Sequence, residues 1–193
     1  MPNKTALVTG ASEGIGAEFI QILAARGYDL ILVARSEDKL NRLAAKAETE
    51  FNIKCTVIVA DLSQSKAAHN LFQRVNELSL DVNFLVNNAG LLKNGFFTEL
   101  SLEEQEKMIA VNVIALTSLT HLFANYMASK DGGYILNVAS LAGWMAIPNQ
   151  NVYAATKAYV LAFTQALANE MIAADSGVKI TALCPGYTAT KMM

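Results

Sequence analysis

Six short apolar segments alternate with longer segments of helical periodicity, and this alternation restricts the fold more than any other feature of the sequence. The apolar segments are nearly continuous, which is typical of strands covered on both faces; they span residues 5–8, 30–34, 55–60, 82–86, 134–139 and 179–184. The segments between them have apolar residues three and four apart; they span residues 17–26, 37–51, 66–78, 103–129 and 152–174. The pattern predicts right-handed βαβ units and an α/β fold with a doubly wound parallel sheet.

Length and charge restrict the function. With 193 residues, of which 53% are hydrophobic, the chain has enough apolar material for one core, so we predict a single domain over residues 1–193. The net charge of −2 provides no basic surface for nucleic acid. Cys55 and Cys184 both fall in predicted strands, which favours buried thiols in a reducing compartment over a disulfide or a metal site.

The sequence also predicts a cytoplasmic protein without a membrane span. No apolar leader separates the first residues from the first predicted strand. The most apolar helical segment, residues 152–174, contains Lys157 and Glu170, which favours a buried helix of a soluble protein.

A glycine-rich turn lies between the first predicted strand and the first predicted helix. Gly10 follows the strand, and Gly14 and Gly16 open the helix. Glycines there permit a tight turn and close approach of the backbone to a phosphate, which the helix N-terminus attracts. The turn alone also fits an ordinary strand–helix connection, but its position favours a dinucleotide.

The end of the second predicted strand indicates which dinucleotide binds. An acidic residue there would accept the ribose hydroxyls of NAD(H), whereas an arginine would bind the 2′-phosphate of NADP(H). This strand ends in Ala34-Arg35, which favours NADP(H) over NAD(H). Two points oppose this interpretation: Arg35 also fits an ordinary solvent-exposed position, and Glu13 in the glycine turn would repel a phosphate.

Tyr153 and Lys157 are four residues apart in a predicted helix and share one face. A phenol is a poor base at neutral pH, and a nearby ammonium is expected to lower the tyrosine pKa. The same spacing occurs in Tyr126 with Lys130 and in Tyr187 with Lys191. The first of these pairs fits a helix C-terminus, and the second follows Pro185-Gly186, where no helix is assured.

Two further polar residues are candidates for the chemistry. Ser140 follows a predicted strand, where its hydroxyl is able to bond a substrate oxygen or simply cap a turn. Asn112 interrupts a helical pattern, where it would bind a water, bend the helix or occupy a polar surface position.

These motifs, in this order and over the whole chain, resemble the short-chain dehydrogenase/reductase family. The matching residues are Thr9, Gly10, Gly14, Gly16, Asp61, Asn87 to Gly90, Asn112, Ser140, Tyr153, Lys157, Pro185 and Gly186. The resemblance implies a Rossmann fold with strand order 3-2-1-4-5-6 and hydride transfer between NADP(H) and a small carbonyl or alcohol substrate. It implies a homo-oligomer, a dimer or a tetramer, formed through segments 103–129 and 152–174.

The resemblance also implies residue roles. Tyr153 would be the acid/base, Ser140 would polarise the substrate, Lys157 would lower the tyrosine pKa and bind a ribose, and Asn112 would hold a water. Asn87 would be structural. The expected cofactor-binding residues are Gly10, Ser12, Glu13, Gly14, Ile15, Gly16, Arg35, Asp61, Leu62, Asn88, Ala89, Gly90, Tyr153, Lys157, Pro185, Gly186, Thr188 and Thr190.

Some questions remain open at this stage. Family members continue into a substrate-covering segment and a seventh strand, so we expect that the chain lacks this strand and is a C-terminal truncation. The substrate is not identified, although Leu92, Trp144, Met145, Ile147 and Tyr187 suggest an apolar ligand if they are not simply packing. A catalytically silent dinucleotide-binding scaffold and a methyltransferase on the same architecture are the alternative functions.

Overall fold

A computed structural model describes residues 4–130 and 132–186. The strands are β1 (Thr5–Thr9), β2 (Asp29–Ala34), β3 (Cys55–Val59), β4 (Val82–Asn87), β5 (Gly133–Val138) and β6 (Val178–Leu183). The α-helices are α1 (Gly14–Ala25), α2 (Glu37–Phe51), α3 (Ala67–Glu77), α4 (Leu102–Ile109), α5 (Leu116–Ala128) and α6 (Asn151–Ala173). A π-helical segment (Ala110–Ala115) joins α4 to α5, and a short 3₁₀ helix (Leu141–Trp144) follows β5.

The six strands described form one parallel sheet in the order β3-β2-β1-β4-β5-β6. This order confirms the doubly wound Rossmann topology predicted from the sequence. The chain leaves β1 toward β2 on one side, and β4 continues the sheet on the other side of β1. Ligands of such sheets bind at this switch point, outside the carboxyl ends of the strands.

Successive residues of each central strand enter two different cores. In β1, Leu7 packs in the core that contains residues of α3 and α5, whereas Ala6 and Val8 pack in the core that contains residues of α1 and α2. All three residues are fully buried. Burial on both faces explains why the strands lack the alternation of apolar and polar residues that a one-sided sheet would show.

The predicted helix over residues 103–129 is interrupted, which the periodicity did not indicate. The helical turn widens over Ala110–Ala115, and the buried Asn112 lies in this π-helical segment. π-Helical turns inside longer helices occur frequently at functional sites. The prediction of one regular helix is therefore wrong at its centre.

The same helical stretch, Leu102–Ala128, is long and apolar enough to cross a membrane by length and composition. Half of its most apolar window is buried inside the protein. Core helices of globular proteins have these properties too, and α5 supplies Leu119, Phe123 and Met127 to the core beneath the sheet.

A buried polar network joins the sheet to the helices below it. Asn87 Nδ2 donates to Thr120 Oγ1 at 3.0 Å and to Asn137 Oδ1 at 2.9 Å. Asn137 Nδ2 in turn donates to Thr164 Oγ1 at 3.0 Å. These bonds link β4, β5, α5 and α6, which agrees with the structural role expected for Asn87.

Candidate active site

A cavity of about 710 Å³ lies at the carboxyl ends of the strands, where the fold places its ligand. Its wall includes most of the residues that the sequence predicted, namely Gly10, Ser12, Glu13, Gly14, Ile15, Arg35, Asp61, Leu62, Asn88, Ala89, Gly90, Ser140, Tyr153, Lys157, Pro185 and Gly186. Gly16 and Asn112 do not line the cavity but lie close to residues that do. Thr188 and Thr190 lie outside the described residues.

Two positions of the glycine turn, Gly10 and Gly16, are packed too closely for a side chain. Gly10 and Gly14 have positive φ angles of 64° and 56°, which side chains disfavour. A Cβ atom on Gly10 would lie 2.8 Å from the Ala89 Cα, and one on Gly16 would lie 2.2 Å from the Gly10 carbonyl oxygen. Gly16 therefore shapes the turn, whereas Gly10 and Gly14 expose backbone to the cavity.

Two polar side chains hold the glycine turn against β4. Asn88 Nδ2 donates to the carbonyl oxygens of Thr9 and Gly10 at 3.0 and 3.1 Å. Thr9 Oγ1 accepts from the backbone N–H groups of Asn88 and Ala89, both at 3.0 Å. The sequence placed Asn88 on the cofactor side but did not indicate this clamp, whose partners are about 80 residues apart in the chain.

Four charged side chains surround the end of the cavity near β2. Arg35 and Lys39 are cations of the cavity wall, and Glu13 and Asp61 are acids of the same wall. Lys39 Nζ donates to Glu13 Oε2 at 2.8 Å. Burial opposes ionisation of Asp61, but hydrogen bonds from Ser63 and Gln64 and the charge of Arg35 together lower the pKa of Asp61. The sequence analysis did not identify Lys39.

At the other end of the cavity, Ser140, Tyr153 and Lys157 come together. Tyr153 and Lys157 lie in the first two turns of α6 and are 9% and 4% exposed. Lys157 Nζ lies 5.7 Å from the centre of the Tyr153 ring and donates to the Val138 carbonyl oxygen at 2.8 Å. Ser140 follows β5 and lines the same wall, and its hydroxyl is close enough to lower the pKa of Tyr153.

Burial has the largest effect on the pKa of Tyr153, and the lowering expected from Lys157 remains a prediction. Burial raises the pKa of Tyr153, and the Ser140 hydroxyl offsets only part of this rise. Burial also lowers the pKa of Lys157 to about 8. Burial is therefore the largest influence on both pKa values, because it disfavours the phenolate form of Tyr153 and the ammonium form of Lys157.

Ser140 combines the two roles that the sequence left open. Its Oγ accepts from the Ala142 N–H at 3.1 Å, so it caps the 3₁₀ helix. Its hydroxyl also lines the cavity with Tyr153 and favours the ionised form of that phenol. The cap fixes the side chain that faces the reactive phenol.

Asn112 is 1% exposed, so the interpretation as a polar surface residue is wrong. Its Oδ1 accepts from the Leu91 N–H at 2.8 Å, and its Nδ2 donates to the Leu91 carbonyl oxygen at 2.9 Å. Nδ2 also donates to Thr156 Oγ1 at 3.0 Å, and Thr156 Oγ1 donates to the Tyr153 carbonyl oxygen at 2.7 Å. Asn112 thus joins the loop after β4 to the helix that carries Tyr153.

The sequence analysis missed Thr156, and the structure makes a stability prediction for it. Replacing Thr156 with valine keeps the shape but removes the acceptor of Asn112 Nδ2, so we expect a loss of about 1–3 kcal/mol in the free energy of unfolding. Urea denaturation measures this loss. Thr156→Ser keeps the hydroxyl and should retain most of the stability; a valine variant as stable as the parent would contradict the prediction.

The pair of Tyr126 and Lys130 does not line this cavity. Tyr126 Oη donates to Asp81 Oδ1 at 2.7 Å, and burial together with this bond raises the pKa of Tyr126 to about 12. Lys130 lies 5.7 Å from the centre of that ring, near the end of α5. Tyr187 and Lys191 lie outside the described residues.

Apolar side chains adjoin the reactive end of the cavity. Leu92 and Ile147 pack in the small cluster that contains Tyr153, whereas Trp144 and Met145 are 62% and 59% exposed. The last of the predicted apolar residues, Tyr187, is outside the described part of the chain.

Within residues 4–130 and 132–186, no group of three or more histidine, cysteine or acidic residues is arranged to hold a metal ion. Cys55 and Cys184 are free thiols, half-buried rather than fully buried. Burial, with smaller contributions from the charges of Glu48 and Asp29, raises the pKa of Cys55 to about 12, which makes it a poor nucleophile.

Comparison with known proteins identifies the family of the chain. The family model described as short chain dehydrogenase matches residues 4–193. The oxidoreductase UcpA of Salmonella typhimurium is 34% identical over 193 residues, which are 100% of this chain and 72% of the relative.

Two solved structures are also similar. The bulky-bulky ketone specific alcohol dehydrogenase from Comamonas testosteroni has a TM-score of 0.91 and 33% identity, and the match covers 98% of this chain and 74% of that chain. A short-chain dehydrogenase from Sphingobium yanoikuyae, solved in complex with NADPH, has a TM-score of 0.91 and 35% identity over 98% of this chain and 73% of that chain.

Proposed function

This chain belongs to the short-chain dehydrogenase family, and on that premise we propose that it transfers hydride between NADP(H) and a small ketone, aldehyde or secondary alcohol. Its class is that of an oxidoreductase. One observation carries the proposal: Ser140, Tyr153 and Lys157 come together at one end of a cavity, and the glycine turn lines another part of the same cavity.

The residues of the cavity fit a phosphorylated dinucleotide. Gly10 and Gly14 place bare backbone in the cavity wall, where a pyrophosphate is able to approach it closely, and Gly14 opens α1 with its N-terminal N–H groups. Arg35 lines the cavity just beyond β2, where a 2′-phosphate would lie. The NADPH in the Sphingobium yanoikuyae relative supports the same choice for this chain.

The proposed chemistry assigns one task to each catalytic group. Bound NADPH would supply the hydride to the substrate carbon. Tyr153 donates its proton to the substrate oxygen as negative charge develops there, and the Ser140 hydroxyl bonds that oxygen. With a pKa of about 8, Lys157 remains protonated at neutral pH, and its charge stabilises the phenolate that Tyr153 becomes. The reverse sequence oxidises an alcohol.

Asn112 does not line the cavity but bonds residues next to the catalytic groups. Both polar atoms of its side chain have protein partners at Leu91 and Thr156. We therefore assign it the positioning of Tyr153 and of the loop after β4. A water in the proton relay, which the family resemblance implies for Asn112, remains a prediction.

The alternative functions are less well supported. A silent scaffold does not require Ser140, Tyr153 and Lys157 together in the wall of the dinucleotide cavity. A methyltransferase would be expected to have an acidic residue after β2, where this chain has Arg35.

We propose further that the substrate has apolar substituents. Leu92 and Ile147 pack beside Tyr153, and the exposed Trp144 and Met145 follow Ser140 closely in the chain. The Comamonas testosteroni relative is described as specific for bulky ketones, which supports the same chemical class here.

The remaining proposals concern the protein in the cell. We propose one dinucleotide-binding domain in a cytoplasmic homo-oligomer. The helices predicted to associate carry exposed apolar side chains, with Ile114 at 59%, Tyr159 at 40% and Ile172 at 75% exposure. Sedimentation equilibrium measures the oligomeric state.

The proposed function is tested by NADPH oxidation with a panel of ketones and aldehydes that differ in apolar bulk. We expect turnover with at least one ketone that carries apolar groups, and faster turnover with NADPH than with NADH. A panel of alcohols with NADP⁺ tests the reverse direction. If neither reduced dinucleotide binds in a direct titration, the proposal is wrong.

A further inference from the structure

The end of the cavity near β2 contains an ion pair that none of the proposed roles explains. Lys39 Nζ and Glu13 Oε2 are 2.8 Å apart, and the pair connects the glycine turn to the first turn of α2. Both side chains line the cavity together with Arg35 and Ser36. They are 45% and 48% exposed, so an entering ligand is able to reach them.

The wall at this end of the cavity carries two cationic and two acidic side chains among the described residues. Arg35 and Lys39 bring two positive charges, and Glu13 and Asp61 bring two negative ones. Arg35 is close enough to Asp61 to contribute to its lowered pKa. A phosphate monoester carries a charge of about −1.5 to −2 at pH 7, so it binds best where cations are in excess. As long as Glu13 holds Lys39, only part of the available positive charge faces such a ligand.

We propose that Lys39 is a second cationic contact for the 2′-phosphate of NADP(H) beside Arg35, and that Glu13 restrains it, so that the Glu13–Lys39 pair sets the preference for NADP(H) over NAD(H). The inference rests on the proposed dinucleotide function. It assigns to Glu13 the opposite effect from that of an ordinary cofactor-binding residue: its carboxylate weakens NADP(H) binding.

The reason is a difference in strength between the two bonds that Lys39 is able to form, one to Glu13 and one to a phosphate. An exposed lysine–carboxylate pair contributes little, because water screens both charges. A charge-assisted bond from the same ammonium to a phosphate oxygen is stronger, so Lys39 gains by changing partner. Glu13 then loses its bond to Lys39 and lies beside an added negative charge. Removal of its charge should therefore favour NADP(H), and removal of the Lys39 charge should disfavour it.

A purely structural role predicts a different pattern. If the pair only tied the glycine turn to α2, loss of either partner would loosen the turn. Affinity for NADPH and NADH would then fall together, since both contain the pyrophosphate that the turn binds. The two interpretations therefore differ in the sign of one effect and in its dependence on the 2′-phosphate.

The experiment measures the dissociation constants of NADPH and NADH by calorimetric titration of the whole protein and its variants. Glu13→Gln is expected to bind NADPH about three- to tenfold more tightly, and Lys39→Gln about three- to tenfold more weakly. NADH affinity should change less than twofold in both. The NADPH effects should shrink as salt is raised, because salt screens exposed charges.

Two matched controls isolate the pair from overall charge. Glu18→Gln makes the same charge change at an exposed position of α1, and Lys46→Gln does so at an exposed position of α2. Neither residue lines the cavity, so NADPH affinity should be unchanged within twofold in both.

Each outcome has one meaning. Opposite shifts of NADPH affinity with unchanged NADH affinity support the inference. Parallel losses for both dinucleotides, no change in either variant, or equal shifts in the control variants overturn it. Failure of the parent protein to bind NADPH at all would instead refute the proposed function.

Discussion

Replacing Tyr153 with phenylalanine is expected to lower kcat by about 10²–10⁴-fold while NADPH affinity stays within about twofold of the parent. The variant loses the only atom that the proposed chemistry uses for proton transfer. The ring remains packed with Met108, Ala142 and Ala154, and its face stays 5.7 Å from Lys157 Nζ. Single-turnover kinetics with NADPH and a reactive ketone measure the chemical step directly.

A second tyrosine provides the matched control for this prediction. Tyr126→Phe removes a hydroxyl that also precedes a lysine by four residues, but this hydroxyl bonds Asp81, and neither Tyr126 nor Asp81 lines the cavity. It should cost some stability and leave kcat unchanged. If Tyr153→Phe turned over like the parent, Tyr153 would not be the acid/base and the proposed mechanism would be wrong.

The pKa of Tyr153 affects how this step responds to pH. Burial raises this pKa, so the phenol is protonated at neutral pH and ready to donate during reduction. Oxidation requires the phenolate, so its rate should rise with pH until the tyrosine is ionised. A pH optimum for oxidation above that for reduction agrees with this assignment.

Replacing Gly16 with alanine is expected to lower the free energy of unfolding by about 1–3 kcal/mol and to abolish dinucleotide binding. The added Cβ would lie 2.2 Å from the Gly10 carbonyl oxygen and 2.6 Å from Asn88 Nδ2. That carbonyl accepts from Asn88 at 3.1 Å, so the turn is not free to move aside. Alanine favours a helix over glycine by about 1 kcal/mol, which is too little to offset a backbone clash.

Gly27→Ala separates this clash from ordinary glycine effects. Gly27 has a positive φ of 76°, but no atom lies within 4 Å of its added Cβ. The control should lose some stability through backbone strain and keep its NADPH affinity. Urea denaturation and dinucleotide titration measure both variants. Tight binding by Gly16→Ala would show that the turn adapts and would refute the prediction.

Local patterns accounted for much of this protein. Continuous apolar runs identified the strands because burial on both faces leaves few polar positions. The observed sheet has the strand order that the family resemblance implied. The glycine turn and the shared helix face of Tyr153 and Lys157 could also be predicted, since both depend on residues close in the chain. The periodicity did not reveal the π-helical segment that contains Asn112, nor the bond from Asn112 to Leu91, which lies 21 residues away in the chain.

The class of fold, the glycine turn and the identity of the groups proposed to face the substrate all followed from the amino-acid sequence. Only the tertiary structure decided how those groups act. It brought Ser140 to Tyr153 and Lys39 to Glu13, and it buried Tyr153 so deeply that its pKa rises although a lysine is near. The reason is physical: propensity and spacing act over a few residues, whereas desolvation and charge pairing depend on every chain segment that closes around a group.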